Sequence, residues 1–213
     1  MVRTRFDKLP PERQEAILAA AAEEFAARGY EAASLNRIIE RAGSNKGSFY
    51  YYFDDKADLL RTAVERAAAR AMAEVEFPSL QDLTAETFWA RVREVALSSL
   101  PMIERDSWYM RLMRAFYRLR EEPAALEATS VVLEGSRGLV VAFVRRGQEL
   151  GVVRRDLPVD LLVEIYMAAD QAGDRWMMRH WDEFSEAQKR EVFAARLDLA
   201  RDMLDAKHTG WER

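Results

Sequence analysis

Between residues 45 and 53 the chain reads Asn45-Lys46-Gly47-Ser48-Phe49-Tyr50-Tyr51-Tyr52-Phe53, and these side chains share one kind of chemistry. An ammonium, hydroxyls and an open glycine backbone suit phosphate oxygens, and phenol rings also pack on thymine methyl groups. On a helix, Phe49 and Phe53 fall four apart on one face, where they can be buried against Ile17, Phe25, Ile38 and Ile39. The other face is then Lys46, Gly47, Ser48, Tyr50, Tyr51 and Tyr52. Three consecutive tyrosines are an odd choice for a surface that meets only water. Gly47, a poor helix former, makes sense where backbone must lie close to DNA.

Other chemistry is scarce. The chain has no cysteine, which removes disulfides, thiolate metal sites and cysteine nucleophiles and suits a reducing compartment. Its two histidines, His180 and His208, are not spaced as half of a metal pair, and no carboxylate or nucleophile motif surrounds them. There is no phosphate-binding glycine loop, and the 36 acidic residues are scattered over solvated helices. Neither an enzyme, a cofactor nor a metal site is therefore expected.

The elements that must position residues 45–53 are helices. A chain of 213 residues, 49% apolar and 32% charged, with nine glycines and six prolines, is long enough for one or two folded domains and is expected to be all-α. Pro10-Pro11-Glu12 opens a first helix carrying Ile17, Leu18, Ala21 and Phe25 at helical spacing, and Arg28-Gly29 stops it. Ser34 caps a second helix over Leu35–Ala42, and Gly43 ends it. Asn45 caps the third, Lys46–Phe53, and Asp54-Asp55 supply cap-type residues for a fourth beginning near Lys56. Smaller signals divide the remainder into Ala57–Glu76, Asp82–Leu100, Glu104–Arg120, Pro123–Leu150, Val159–Trp181 and Ser185–Lys207, for about nine helices in all. The change from short to long helices places a domain boundary between residues 54 and 55. Two short helices joined by a glycine turn form a helix-turn-helix, which gives a domain over 1–54 and a larger helical domain over 55–213.

The residues Glu15-Ala16-Ile17-Leu18, Phe25-Ala26-Ala27-Arg28-Gly29-Tyr30, Ile38, Ala42-Gly43, Lys46-Gly47-Ser48-Phe49-Tyr50-Tyr51-Tyr52-Phe53 and Lys56-Ala57-Asp58-Leu59-Leu60 together resemble the amino-terminal domain of TetR-family transcriptional regulators. The resemblance covers about residues 12–62. It implies a homodimeric, all-α, cytoplasmic repressor that binds a palindromic double-stranded DNA operator and is released by a small effector in its carboxy-terminal domain. Carried onto this sequence, it makes Lys46 and Gly47 base-edge contacts and Tyr50 a thymine-methyl or phosphate contact. Ser48, Tyr51 and Tyr52 would also face DNA, with Asn45 at the helix start. Ser34 and Lys56 would clamp phosphates on either side of the groove. Asn36 and Arg37 add a base or phosphate contact or simply occupy an exposed helix face. Arg3 and Arg5 form either a groove-seeking arm or a disordered tail.

The sequence departs from the family pattern at three places. Ser44 stands where an apolar residue is usual, Ala33 where threonine is usual, and Asp54-Asp55 put negative charge beside the expected phosphate track. Net charge is −4, and the first sixty residues hold nine basic and ten acidic side chains. Charge as a sum offers no attraction to nucleic acid, so binding is expected to rely on a dimer, a few oriented contacts and low salt, with weak non-specific affinity.

In the second domain Trp108, Tyr109, Met113 and Phe116 crowd one helix, and with Phe88, Phe143, Tyr166 and Asp170 they are the expected effector pocket. An inward Asp170 would favour a cationic effector, and an inward Arg114 a carboxylate or acyl-thioester. Two apolar stripes, one of Leu162, Ile165, Ala169, Ala172 and Trp176 and one of Phe193, Leu197, Ala200 and Leu204, are the expected dimer interface, unless they bury only within their own subunit. No apolar run approaches the length of a membrane span, and no membrane partner is expected.

Overall fold

The computed structural model describes residues 5–208, so Arg3 lies outside the described residues. Among them the regular structure is helical: α1 (Pro11–Arg28), α2 (Leu35–Arg41), α3 (Lys46–Tyr52), α4 (Lys56–Ala73), α5 (Phe88–Ser98), the single turn α6 (Leu100–Ile103), α7 (Trp108–Leu119), α8 (Pro123–Glu149), α9 (Val159–Arg179) and α10 (Glu186–Leu204). Among the described residues the only strand-like feature is an isolated antiparallel bridge between Val153 and Asp205.

Local chemistry sets the short elements. Pro11 occupies the first turn of α1, and Gly29 ends that helix at φ 76°, a backbone that other residues adopt at a cost. Ser34 accepts from the Arg37 N–H, Asn45 from the Ser48 N–H and Asp55 from the Asp58 N–H, so each of α2, α3 and α4 starts on a side-chain cap. Asp55, read from sequence both as a cap-type residue and as a charge beside DNA, is the cap of α4.

Three long helices start or stop away from their expected ends. Thr84 and Thr87 bond each other's backbone and side chains, which holds the chain out of helix until Phe88 rather than Asp82. Ser107 caps α7 through the Met110 N–H, while Arg114 holds the carbonyls of Ile103 and Arg105, so α7 starts at Trp108 rather than Glu104. α10 stops at Leu204, whose carbonyl accepts from the Arg154 N–H at 2.8 Å.

Packing divides the chain into two compact units, and not at residue 54. The first comprises the described residues up to Glu74 together with Ile103–Leu133. Its core joins Phe6, Ile17, Phe25, Ile38, Phe49, Phe53, Leu59 and Leu60 with Leu112, Phe116 and Leu119 of α7 and Ala125 and Ala128 of α8. α4 and α7 are thus part of what holds the helix-turn-helix. The second unit comprises Val75–Met102 and the described residues from Glu134 onward, with Leu83, Phe88, Val144, Val153, Leu162, Val163 and Leu204 at its centre.

Charged side chains pin the loop between α1 and α2. The Glu122 carboxylate accepts from the N–H groups of Tyr30 (2.8 Å) and Glu31 (2.6 Å). It sits where a side chain at Gly29 would collide with it, a second reason for glycine there. Glu24, with only 3% of its side chain exposed, accepts from the Ser34 N–H at 2.9 Å and from two guanidinium nitrogens of Arg37 at 2.8 and 2.5 Å. The hydrogen bond from Arg37 holds the Glu24 carboxyl below its ordinary value, against the opposing effect of burial and with help from the Ser34 N–H.

Changing Glu24→Gln should cost about 1–3 kcal/mol of stability at neutral pH. Because the folded carboxyl titrates below the ordinary glutamate value of about 4.3, its contribution is present above that value and is lost as pH falls through the lowered one. Urea unfolding of both proteins at neutral pH and at about pH 3 checks this, with the gap shrinking in acid.

Candidate nucleic-acid interface and ligand cavity

α3 has one buried face and one open one. Phe49 and Phe53 insert into the first unit's core with ring centroids 5.2 Å apart, and Phe6 meets Phe53 at 5.1 Å. Opposite them Lys46 and Gly47 are exposed, and Tyr50 and Tyr51 keep 55% and 53% of their surface. The Arg5 guanidinium lies over the Tyr51 ring, 4.6 Å from its centroid, which holds that phenol at the surface. Tyr52 is different: it is half-buried against the core, beside Leu9 and Ile17, with its edge on Tyr51. Only two of the three tyrosines present a full face outward.

Gly47 is informative because the fold does not ask for it. A Cβ there would meet only Asn45 Oδ1 at 3.5 Å, an ordinary contact, and the backbone is not in the left-handed region. Glycine inside a helix costs about 1 kcal/mol relative to alanine. No contact among the described residues offsets that cost, and a closely approaching ligand is the physical candidate.

The remaining candidates divide. Asn36 is exposed beside the start of α2, and Ser34 spends its hydroxyl oxygen on the cap but keeps an O–H to donate. Asn45 Oδ1 and the Ser48 N–H are paired at 2.8 Å, leaving the asparagine amide nitrogen and the serine hydroxyl to face outward chemistry. Two expected DNA contacts carry structural work as well. Arg37 spends its Nε and Nη2 on Glu24 and on the Ala32 carbonyl. The Lys56 ammonium donates to the carbonyls of Glu31 (3.0 Å) and Ala33 (3.2 Å) and lies over the Tyr30 ring, so at most one of its three N–H groups is left for a phosphate. Arg13, not singled out from sequence, holds the turn before α3 through the carbonyls of Ala42 and Gly43. Apart from Ala32, five residues from Arg37, none of these partners is near in sequence, so no local pattern pointed to them.

The second unit contains a cavity of about 220 Å³ between α5, α8, α9 and α10. Phe88, Phe143 and Tyr166 line it as expected, and Trp89, Val92, Val95, Leu139, Val140 and Phe77 complete an apolar wall. Burial, and secondarily the carboxylates of Asp170 and Asp174, pushes the Tyr166 phenol up, so it remains a neutral donor. The α7 residues are a correction. Trp108 and Phe116 are buried in the first unit, Met113 packs on the same core, and Tyr109 donates its hydroxyl to Glu74. The Trp108 Nε1–H bonds Glu15 at 2.5 Å, tying α7 to α1. Their crowding reflects a helix that is core on one side, which an aromatic count cannot distinguish from a pocket.

Asp170 is corrected too. It does not line the cavity, and with Asp174 it engages Arg196 of α10. Partial burial and the Asp174 carboxylate push Asp170 up to about 6, with Arg196 opposing. Arg114 is spent on loop carbonyls. His180 pairs with Glu183 at 2.9 Å and lies 4.7 Å from the Trp176 ring, centroid to centroid. Among the described residues no group of three His, Asp or Glu is placed to hold a metal.

The expected dimer stripes separate by burial. On α9, Ile165 and Trp176 are exposed and Ala172 lies with them, Ala169 is half-buried, and Leu162 is core. Leu161, missed from sequence, continues the exposed face. On α10, Leu197, Ala200 and Leu204 line the cavity and Phe193 is half-buried under Arg196, so this stripe is used largely within its own subunit. The large exposed apolar residue there is Leu199.

Residues 17–63 match the model for bacterial regulatory proteins of the tetR family. The HTH-type transcriptional repressor AcnR of Corynebacterium diphtheriae is 31% identical over 153 residues, which is 70% of this chain and 73% of that protein. SmeT, described as the repressor of the Stenotrophomonas maltophilia multidrug efflux pump SmeDEF, shares the fold with a TM-score of 0.70 at 21% identity, covering 92% of this chain and 94% of SmeT. The regulator FadR of Bacillus subtilis, solved with stearoyl-CoA, superposes at 0.69 with 17% identity over 88% of this chain and 97% of its own.

Gly47→Ala separates the demands of the fold from those of a ligand. The substitution should raise stability by about 0.5–1 kcal/mol while weakening binding to duplex DNA. Thermal melts and gel-shift titrations of the same preparation read the two opposite signs.

Proposed function

The chain belongs to the tetR family of bacterial regulatory proteins, DNA-binding transcriptional regulators rather than enzymes, and on that premise we propose that it is a repressor released from a palindromic operator by a small, largely apolar effector. The observation that carries this reading is the open face of α3, where Lys46, Tyr50 and Tyr51 stand around a Gly47 that the chain's own packing does not require. Lys46 and the backbone at Gly47 read or approach base edges, Tyr50 meets a thymine methyl or a phosphate, and Ser34, Asn36 and Ser48 bond the sugar-phosphate track. Arg37 and Lys56 act mainly by holding α2 and the α1–α2 loop at the right height.

A palindromic site needs two copies of α3, one per half-site in successive major grooves. The exposed apolar face of α9, with Leu161, Ile165, Ala172 and Trp176, supports a homodimer with a second copy of the chain. Release follows if the effector fits the cavity better when the two recognition helices are wrongly spaced, because a ligand shifts an equilibrium only by its differential affinity. Repressor and operator meet in the cytoplasm. No helix among the described residues is long and apolar enough to cross a membrane.

The test is paired. A duplex selected by the protein from a random pool is titrated with wild type, Lys46→Ala and Tyr50→Ala. Each change should cost about 1–3 kcal/mol of binding, while circular dichroism and light scattering still report a folded dimer. Unchanged affinity in both variants removes α3 from the interface.

A further inference from the structure

The cavity of the second unit is lined mostly by apolar side chains, with three charged ones among them. Its charged lining groups are Arg93, Arg201 and Asp198. Arg93 pairs with Asp198 through one nitrogen, Nη1. Arg201 bonds Asp205 through Nε at 3.3 Å, and Asp205, itself buried and outside the lining, gives its other oxygen to the Lys207 N–H at 2.9 Å. The Nε bond orients the guanidinium and leaves its Nη1 and Nη2 fork without a partner among the described residues, alongside the Trp89 ring at 5.9 Å from the centroid. The Arg201 side chain keeps 47% of its surface, so this oriented, unspent guanidinium fork is open to two oxygens of a carboxylate or phosphate. The nearby acidic pair does not compensate, because Asp170 and Asp174 are engaged with Arg196 and neither lines the cavity.

Resting on the reading of this cavity as the effector site, we propose that its ligand is an amphiphilic oxyanion: an apolar chain inside the wall of Phe88, Val92, Val140 and Phe143, with a carboxylate or phosphate head on the Arg201 fork and Arg93 beside it. A cationic head would find one carboxylate in the lining, Asp198, already paired with Arg93. A neutral head would leave the fork unused. The ligand class is set by the arginines of α5 and α10, not by Asp170 or Arg114.

The test uses the full chain and four probes with the same apolar tail, octanoate, octyl phosphate, octanol and octylammonium, titrated by calorimetry with tryptophan fluorescence as a second readout. Octanoate or octyl phosphate should bind at least roughly tenfold more tightly than the other two, and which of them binds better identifies the head. Arg201→Met should abolish the preference and Arg201→Lys should retain part of it, with a thermal melt confirming that each variant is folded. Equal or tighter binding of octanol or octylammonium overturns the proposal and leaves the cavity reading intact. Retention of the preference in folded Arg201→Met overturns the assignment to Arg201. Binding by none of the four overturns both the proposal and the cavity reading beneath it.

Discussion

The open face of α3 depends on two phenylalanines. α3 is only seven residues long, well short of the ~12–15 that let an isolated helix persist in water. It stands because Phe49 and Phe53 are locked into a core that also takes in Phe6 and residues of α1, α2 and α4, and because Asn45 caps its first turn. The exposed face inherits its geometry from the buried one. Lys46, Gly47, Tyr50 and Tyr51 can be spaced as they are only while the rings behind them stay packed.

The same economy explains the charges. A net charge of −4 looks like evidence against a nucleic-acid partner. Much of the basic complement near the helix-turn-helix is committed to the chain itself: Arg13 to the turn before α3, Arg37 to Glu24, and Lys56 to the α1–α2 loop. Glu122 anchors that loop from the start of α8. Few cations remain for phosphates, so affinity has to come from oriented contacts, stacking on phenols and the doubling that a dimer supplies. Rigidity and electrostatic attraction draw on the same side chains, and here rigidity takes more of them.

Features set within a few residues were legible in the sequence, and features set across the fold were not. The caps at Ser34, Asn45 and Asp55, the stop at Gly29 and the inward pair Phe49 and Phe53 follow from local rules, and each stands in the structure where its spacing puts it. Tyr52 already shows the limit, since one of three adjacent tyrosines turns toward the core. The partners of Lys56 and the Glu122 clamp lie tens of residues away, beyond any periodicity. Trp108, Tyr109, Met113 and Phe116 have the composition of a pocket and the role of a core. The cavity drew instead on Trp89, Val92 and Val95 of α5, beside the expected Phe88.

On the proposed reading the open face of α3 meets DNA. Backbone amide chemical shifts of the full chain, followed while a duplex selected by the protein is titrated in, report that contact residue by residue. The largest shifts should fall on residues 46–51 and at the start of α2 around Ser34 and Asn36, with the second unit's cavity residues moving less. Shifts concentrated elsewhere, with α3 unperturbed at saturation, would contradict it.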